Sequence, residues 1–129
     1  MSTIRAGYRI TVTSWENDAD SYNTSTVDGL TKEEAAFHVD LLKLISSRSE
    51  FSNMYDPTES EIKKFEAAVA KVMKAHNQPE EEYPADFATD IICEYTGYSE
   101  FYTRVAETIN VEYVPQEIVI DDVSAEFGI

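Results

Sequence analysis

Positive charge is what this sequence lacks most. No lysine or arginine occurs from Gln78 to Tyr102, and residues 79 to 129 hold thirteen acids against one arginine. The whole chain of 129 residues carries a net charge of −15. Such a balance repels nucleic-acid phosphates and anionic membranes at long range and attracts basic surfaces, which usually belong to proteins. Direct nucleic-acid binding and membrane binding are therefore disfavoured. Cysteine is almost missing: Cys93 stands alone, which excludes an intramolecular disulfide and a thiolate zinc cluster built by this chain itself. A reducing compartment fits that usage. Long apolar runs are missing too. Nothing approaches the roughly 20 residues of a membrane span, and "MSTIRAGYRITVTSW" lacks a run of signal-peptide length, so a soluble, cytoplasmic protein is expected. The four glycines, Gly7, Gly29, Gly97 and Gly128, are too scattered to cradle a phosphate, and no GxSxG or P-loop pattern occurs.

What is present suffices for a core. Hydrophobic residues make up 43% of the chain and aromatics 12%, which argues against global disorder despite the charge. The length suits one compact domain, residues 1–129. "GYRITVTSW" alternates with period two and predicts a strand from Tyr8 to Trp15, with Tyr8, Ile10 and Val12 on one face and Arg9, Thr11, Thr13 and Trp15 on the other. "ENDAD" reads as a polar loop and "SYNTSTV" as a second strand, closing a long hairpin.

Three helical patterns follow. After a turn at Asp28-Gly29, Thr31 and Glu34 form a capping box for a helix to Ser46, with Phe37, Leu41, Leu44 and Ile45 on its apolar side. Asp56 as N-cap, Pro57 at the first helical position and Glu59 three residues past the cap open a second helix, striped by Ile62, Phe65, Val69, Val72, Met73 and His76. "PADFATDIICEYTG" predicts a third, from Pro84 to a glycine cap at Gly97. "YSEFYTRVAETI" suggests a short fourth helix capped by Ser99. "NVEYVPQEIVIDDV" holds two β-prone runs around Pro115, which belongs at an edge or bend because it cannot complete a central ladder. The expected fold class is α+β: a small antiparallel sheet, N-terminal hairpin plus C-terminal strand, covered by three or four helices.

Catalytic chemistry finds little material. His38 and His76 fall on different helices in no HExxH-like relation. Cys93 lies beside Glu94, whose charge raises a thiol pKa rather than lowering it. "SWENDADSYN" imitates a calcium loop, but from Asp18 the pattern puts Tyr22 at a ligand position, Asn23 at the turn glycine and Gly29 at the closing glutamate. No metal, no cofactor and no enzymatic activity are expected.

The acidic third helix is the most informative feature. Asp86, Asp90 and Glu94 recur every four residues, giving carboxylates at steps of about 6 Å, close to the spacing of phosphates along a nucleic-acid strand. Like charges at this spacing cost a few tenths of a kcal/mol each, and no lysines are interspersed as on an ordinary solvated face. Glu80, Glu81, Glu82 and Glu100 extend the acidity. Tyr98 and Tyr102 stand among the acids, where tyrosine suits an interface that meets arginine. These nine residues are the candidate partner-binding set, and the expected partner is a basic surface of a nucleic-acid-handling protein. In charge and size the chain resembles the DNA-mimic proteins that phages and mobile elements use against host restriction and other defence enzymes. The resemblance is compositional, rests on residues 79 to 126 and includes no motif; the neutral helix from Asp56 to Asn77 departs from it. It implies a non-enzymatic inhibitor acting in the host cytoplasm. A small-ligand-binding or assembly module, acidic only for solubility, is the alternative, and a divalent-cation-dependent enzyme a third class. An edge strand near Val111 to Asp121 could also pair with its own copy in a homodimer.

Overall fold

The computed structural model describes residues 2–16, 18–46, 49–51, 57–96 and 104–120. In chain order the elements are β1 (Ser2–Ile4), β2 (Gly7–Glu16), β3 (Asp18–Leu30), α1 (Lys32–Lys43), α2 (Glu59–Ala75), α3 (Pro84–Thr96), β4 (Arg104–Val114) and β5 (Ile118–Ile120). β2 is the centre of an antiparallel sheet ordered β3-β2-β4, and β1 pairs with β5 in a two-stranded antiparallel arm. The fold is α+β, with the sheet assembled from both ends of the described chain.

The alternation in β2 separates two environments. Ile10 and Val12 are fully buried. On the other face Thr11 meets Thr26 at 3.1 Å, Thr13 meets Thr24 at 3.4 Å, and Arg9 donates to Glu112 at 2.9 Å. These are the cross-strand pairs that an exposed face uses. On the sheet α1 lies chiefly against β2 and β4 and α3 against β3 and β2, and the three helices pack on one another. Phe37, Leu41 and Leu42 of α1, Phe65, Val69 and Met73 of α2, and Ala88, Ile92 and Tyr95 of α3 meet Ile10 and Val12 in one core. Each large side chain so buried contributes roughly 1.5–3 kcal/mol.

Several expectations need correction. The Asp28-Gly29 pair is no turn: it lies inside β3, where the register jumps from Tyr8 opposite Leu30 to Ile10 opposite Val27, a bulge. Gly29 supplies the φ of +68° there, and Arg5 closes over it, its backbone N–H and Nε donating to the Asp28 carboxylate at 2.8 and 3.0 Å. β3 is also longer than expected, reaching back to Asp18 through the stretch read as a polar loop.

α2 is capped by Thr58, not Asp56. Glu61 N–H donates to the Thr58 hydroxyl and Thr58 N–H to the Glu61 carboxylate, at 3.2 and 3.1 Å. Both registers satisfy the spacing of a capping box, but an Asp56–Glu59 box would press two carboxylates together, whereas threonine brings a neutral acceptor. Asp56 lies outside the described residues. The helix ends on Asn77 at φ 55°, with Gln78 N–H donating to Met73 O and Asn77 N–H to Lys74 O. This is a left-handed cap that satisfies the last carbonyls.

The fourth helix is a strand from Arg104 onward. β4 runs along β2 from Arg104 opposite Glu16 to Val114 opposite Gly7. Its partners jump from Thr108 to Ala106 between Thr13 and Ser14 of β2, leaving Glu107 as a bulge. That extra residue sets core-facing Ala106 and Ile109 three apart, the spacing of a helix. The predicted cap Ser99 and the predicted helix end Gly97 lie outside the described residues.

Candidate partner-binding face

α3 is built to show one side. It buries Ala88, Ile92, Tyr95 and Thr96, with Phe87 and Ile91 packed at the margin of the core, while Asp86, Asp90 and Glu94 are all exposed. Pro84 occupies the first helical position, and Phe87 N–H donates to Tyr83 O at 3.1 Å, so the loop carrying Glu80, Glu81 and Glu82 leads straight onto the helix. All three glutamates are exposed, and Tyr83 is 65% exposed. The structure therefore places Glu80, Glu81, Glu82, Asp86, Asp90 and Glu94 on the surface of one continuous segment. Tyr98, Glu100 and Tyr102 of the candidate set lie outside the described residues.

The charges sit unequally on the helix dipole. Asp86 in the first turn is favourable, whereas Glu94 lies in a last turn without a basic residue, where a negative charge opposes the dipole. Local helix stability does not account for Glu94.

A groove of about 570 Å³ opens beside this segment, between the end of α2 and the start of α3. Ala70, Met73, Pro79 and Pro84 give it an apolar lining, and Lys74, Glu80 and Glu81 give it charge.

What holds α3 in place was not legible in the sequence. His38 Nδ1 lies 2.7 Å from the Tyr95 hydroxyl. Tyr95 is fully buried, so its hydroxyl proton needs an acceptor inside the protein, and the hydroxyl donates to Nδ1 of a neutral imidazole. Burial lowers the His38 pKa, against the raising effect of the Glu94 and Glu34 carboxylates; burial and the same carboxylates raise that of Tyr95. Both groups stay neutral at neutral pH.

His76, at the end of α2, meets the Asp40 carboxylate of α1 through Nε2 at 2.6 Å. Phe37 stands between the two histidines, its ring centroid 6.0 Å from His38 and 5.7 Å from His76, and stacks on Phe87 at 6.4 Å. The two histidines, on different helices and in no HExxH-like relation, thus flank one phenylalanine where the three helices meet. The one sequence signal was His76 closing the apolar stripe of α2. At the far end of α3, Asn23 Nδ2 donates to Thr96 O at 3.1 Å, fixing the helix to β3.

Cys93 lies on α3 with its thiol pKa raised by burial and by the charge of Asp90; the direction is as expected, but the acid acting is Asp90. Among the described residues no three histidine, cysteine or acidic side chains come together as a metal-holding group. No described helix is long and apolar enough to cross a membrane.

The fold is thus an α+β protein with a rigidly anchored acidic helix on its surface. Comparison with protein-family models, with curated proteins and with solved structures finds no match to this chain.

Proposed function

We propose that the protein is a non-enzymatic acidic inhibitor or regulator that binds a basic surface of a nucleic-acid-handling protein, with partial DNA-mimic character suited to a phage or mobile-element anti-defence protein. The observation that carries this reading is the exposed row Asp86, Asp90 and Glu94 on a helix whose other side is locked into the core. A charge array on a fixed scaffold loses little conformational freedom on binding, and its field speeds encounter with a positive partner. The groove beside Glu80 and Glu81 adds an anchor point. The methylene stem of a partner's arginine or lysine would lie on Met73, Pro79 and Pro84, and its charged head would meet the two carboxylates.

The test is capture from host lysate on immobilised protein, run in parallel with the triple variant D86K/D90K/E94K. The expected result is a nucleic-acid-handling protein that wild type retains at near-physiological salt, that DNA competes away, and that the variant does not hold. Equal retention by the folded variant would remove α3 from the interface, and no retained partner would overturn the reading.

A further inference from the structure

We propose that the protein forms a homodimer joined edge to edge through residues 108–114 of β4. β4 is bonded to β2 along one side. Its other side is partly used at the start, where Ala106 N–H donates to Ile45 O at 2.8 Å and Ser46 bridges to Ala106. From Thr108 to Val114 no strand among the described residues lies along that side. An open edge of backbone donors and acceptors is a template for another strand.

The side chains of this stretch point the same way. Val111 lies opposite Ile10 and Tyr113 opposite Tyr8, so both belong to the face that the helices cover elsewhere. Ile10 is fully buried, yet Val111 is 47% and Tyr113 63% exposed. The apolar side of the sheet therefore continues past the helices to the open edge. A shallow groove of about 310 Å³ runs there between α1 and β4, lined by Tyr8, Ala35, Ala36, Val39 and Val111 among others.

Charge selects the occupant. Within Thr108–Val114 the one charged residue is Glu112, and Arg9 neutralises it at 2.9 Å. Lys32 and Asp40 of α1 line the same groove and offset each other in sign. The acidic helix α3 lies over β3 and β2, toward the opposite edge of the sheet. For a chain of net charge −15, this edge is where a second copy can approach with the local carboxylates, Glu112 and Asp40, each beside a cation of the same chain, and where a basic partner gains little.

The stretch is also self-complementary. Its centre is Val111. An antiparallel pairing about a two-fold axis there sets Val111 against the partner's Val111, Ile109 against the partner's Tyr113, and Asn110 against the partner's Glu112. No like charges meet, and Ile109, Val111 and Tyr113 of both copies form one stripe on the helical face. The interface is isologous and closes at two chains, in a six-stranded sheet with an acidic helix at each end.

Sedimentation equilibrium tests this without any other protein, so its outcome is separate from that of the capture experiment. Wild type is expected at twice 14.6 kDa at tens of micromolar. V111K and V111E, each placing like charges across the axis, are expected as folded monomers with dissociation constants raised about 100-fold or more. An equimolar mixture of the two is expected to regain the dimer, because each variant then faces the opposite charge. A monomeric wild type at hundreds of micromolar would overturn the proposal, as would a dimer that V111K leaves intact. Two monomeric variants that fail to associate on mixing would overturn the pairing about Val111.

Discussion

Replacing Tyr95 with phenylalanine isolates one interaction. The ring stays, so the fully buried site acquires no large cavity; what goes is the hydroxyl that donates to His38 Nδ1 at 2.7 Å. A hydrogen bond between neutral groups contributes about 0.5–1.5 kcal/mol net. His38 is only partly buried, so water can reach its ring and the penalty for the orphaned acceptor is small. The expected loss is about 1 kcal/mol in urea denaturation at pH 7.5 with unchanged m-value, or about 3–5 °C in Tm for a chain of this size. The pH dependence carries the sharper information. The folded-state pKa of His38 lies below its ordinary value of 6.5, so on acidification the unfolded chain takes up the proton first. The stability due to the neutral imidazole is full above about pH 6.5 and is lost as pH falls through the lower folded value. Glu94 and Glu34 face the same ring and moderate the shift. Since the Tyr95 hydroxyl donates to the neutral form, its removal takes away one stabilisation of that form and moves the His38 pKa upward, while burial still holds it below its ordinary value, and the gap between wild type and variant narrows on acidification. Equal stability at pH 7.5, or a gap that widens on acidification, would refute the donor assignment; the His38 resonance, followed by NMR titration, reports the shift directly.

Two further substitutions test the scaffold. Thr58→Ala removes the hydroxyl that accepts from Glu61 N–H and is expected to cost about 1 kcal/mol by urea denaturation, with Thr58→Ser restoring most of it; a silent Thr58→Ala would move the cap elsewhere. Ser14 is fully buried, and its hydroxyl has no partner among the described residues, so Ser14→Ala is expected to raise stability by up to about 1 kcal/mol. A loss of that size in thermal melts would show that the hydroxyl is bonded after all.

Local chemistry made much of the fold legible. β2 declared itself through strict alternation, and α1 through the Thr31–Glu34 box, whose two bonds form as the spacing demands. The exposed carboxylates of α3 followed from helical periodicity alone. The failures have physical causes. "DPTESE" satisfies two capping registers, and only the repulsion between paired carboxylates separates them. In β4 the Glu107 bulge put Ala106 and Ile109 at helical spacing, while the partner that makes this stretch a strand, β2, lies about a hundred residues away in sequence. The bonds of His38 to Tyr95 and of His76 to Asp40 join residues 57 and 36 apart; no local pattern encodes such a meeting, because it depends on how three helices pack.

The central place of β2 also bears on how the chain reaches its fold. One edge of β2 is filled by β3, its immediate successor, but the other waits for β4, where Tyr8 pairs with Tyr113. The loop closed by that pairing is about fivefold longer than the one joining Tyr8 to Leu30, which costs about 1.4 kcal/mol more in chain entropy, and high contact order slows folding. During synthesis the hairpin and all three helices leave the ribosome before β4 does, so the nascent protein carries an open strand edge of its own. The negative charge of Glu80, Glu81, Glu82, Asp86, Asp90 and Glu94, which precede β4 in the chain, then helps to keep unfinished chains apart until β4 arrives.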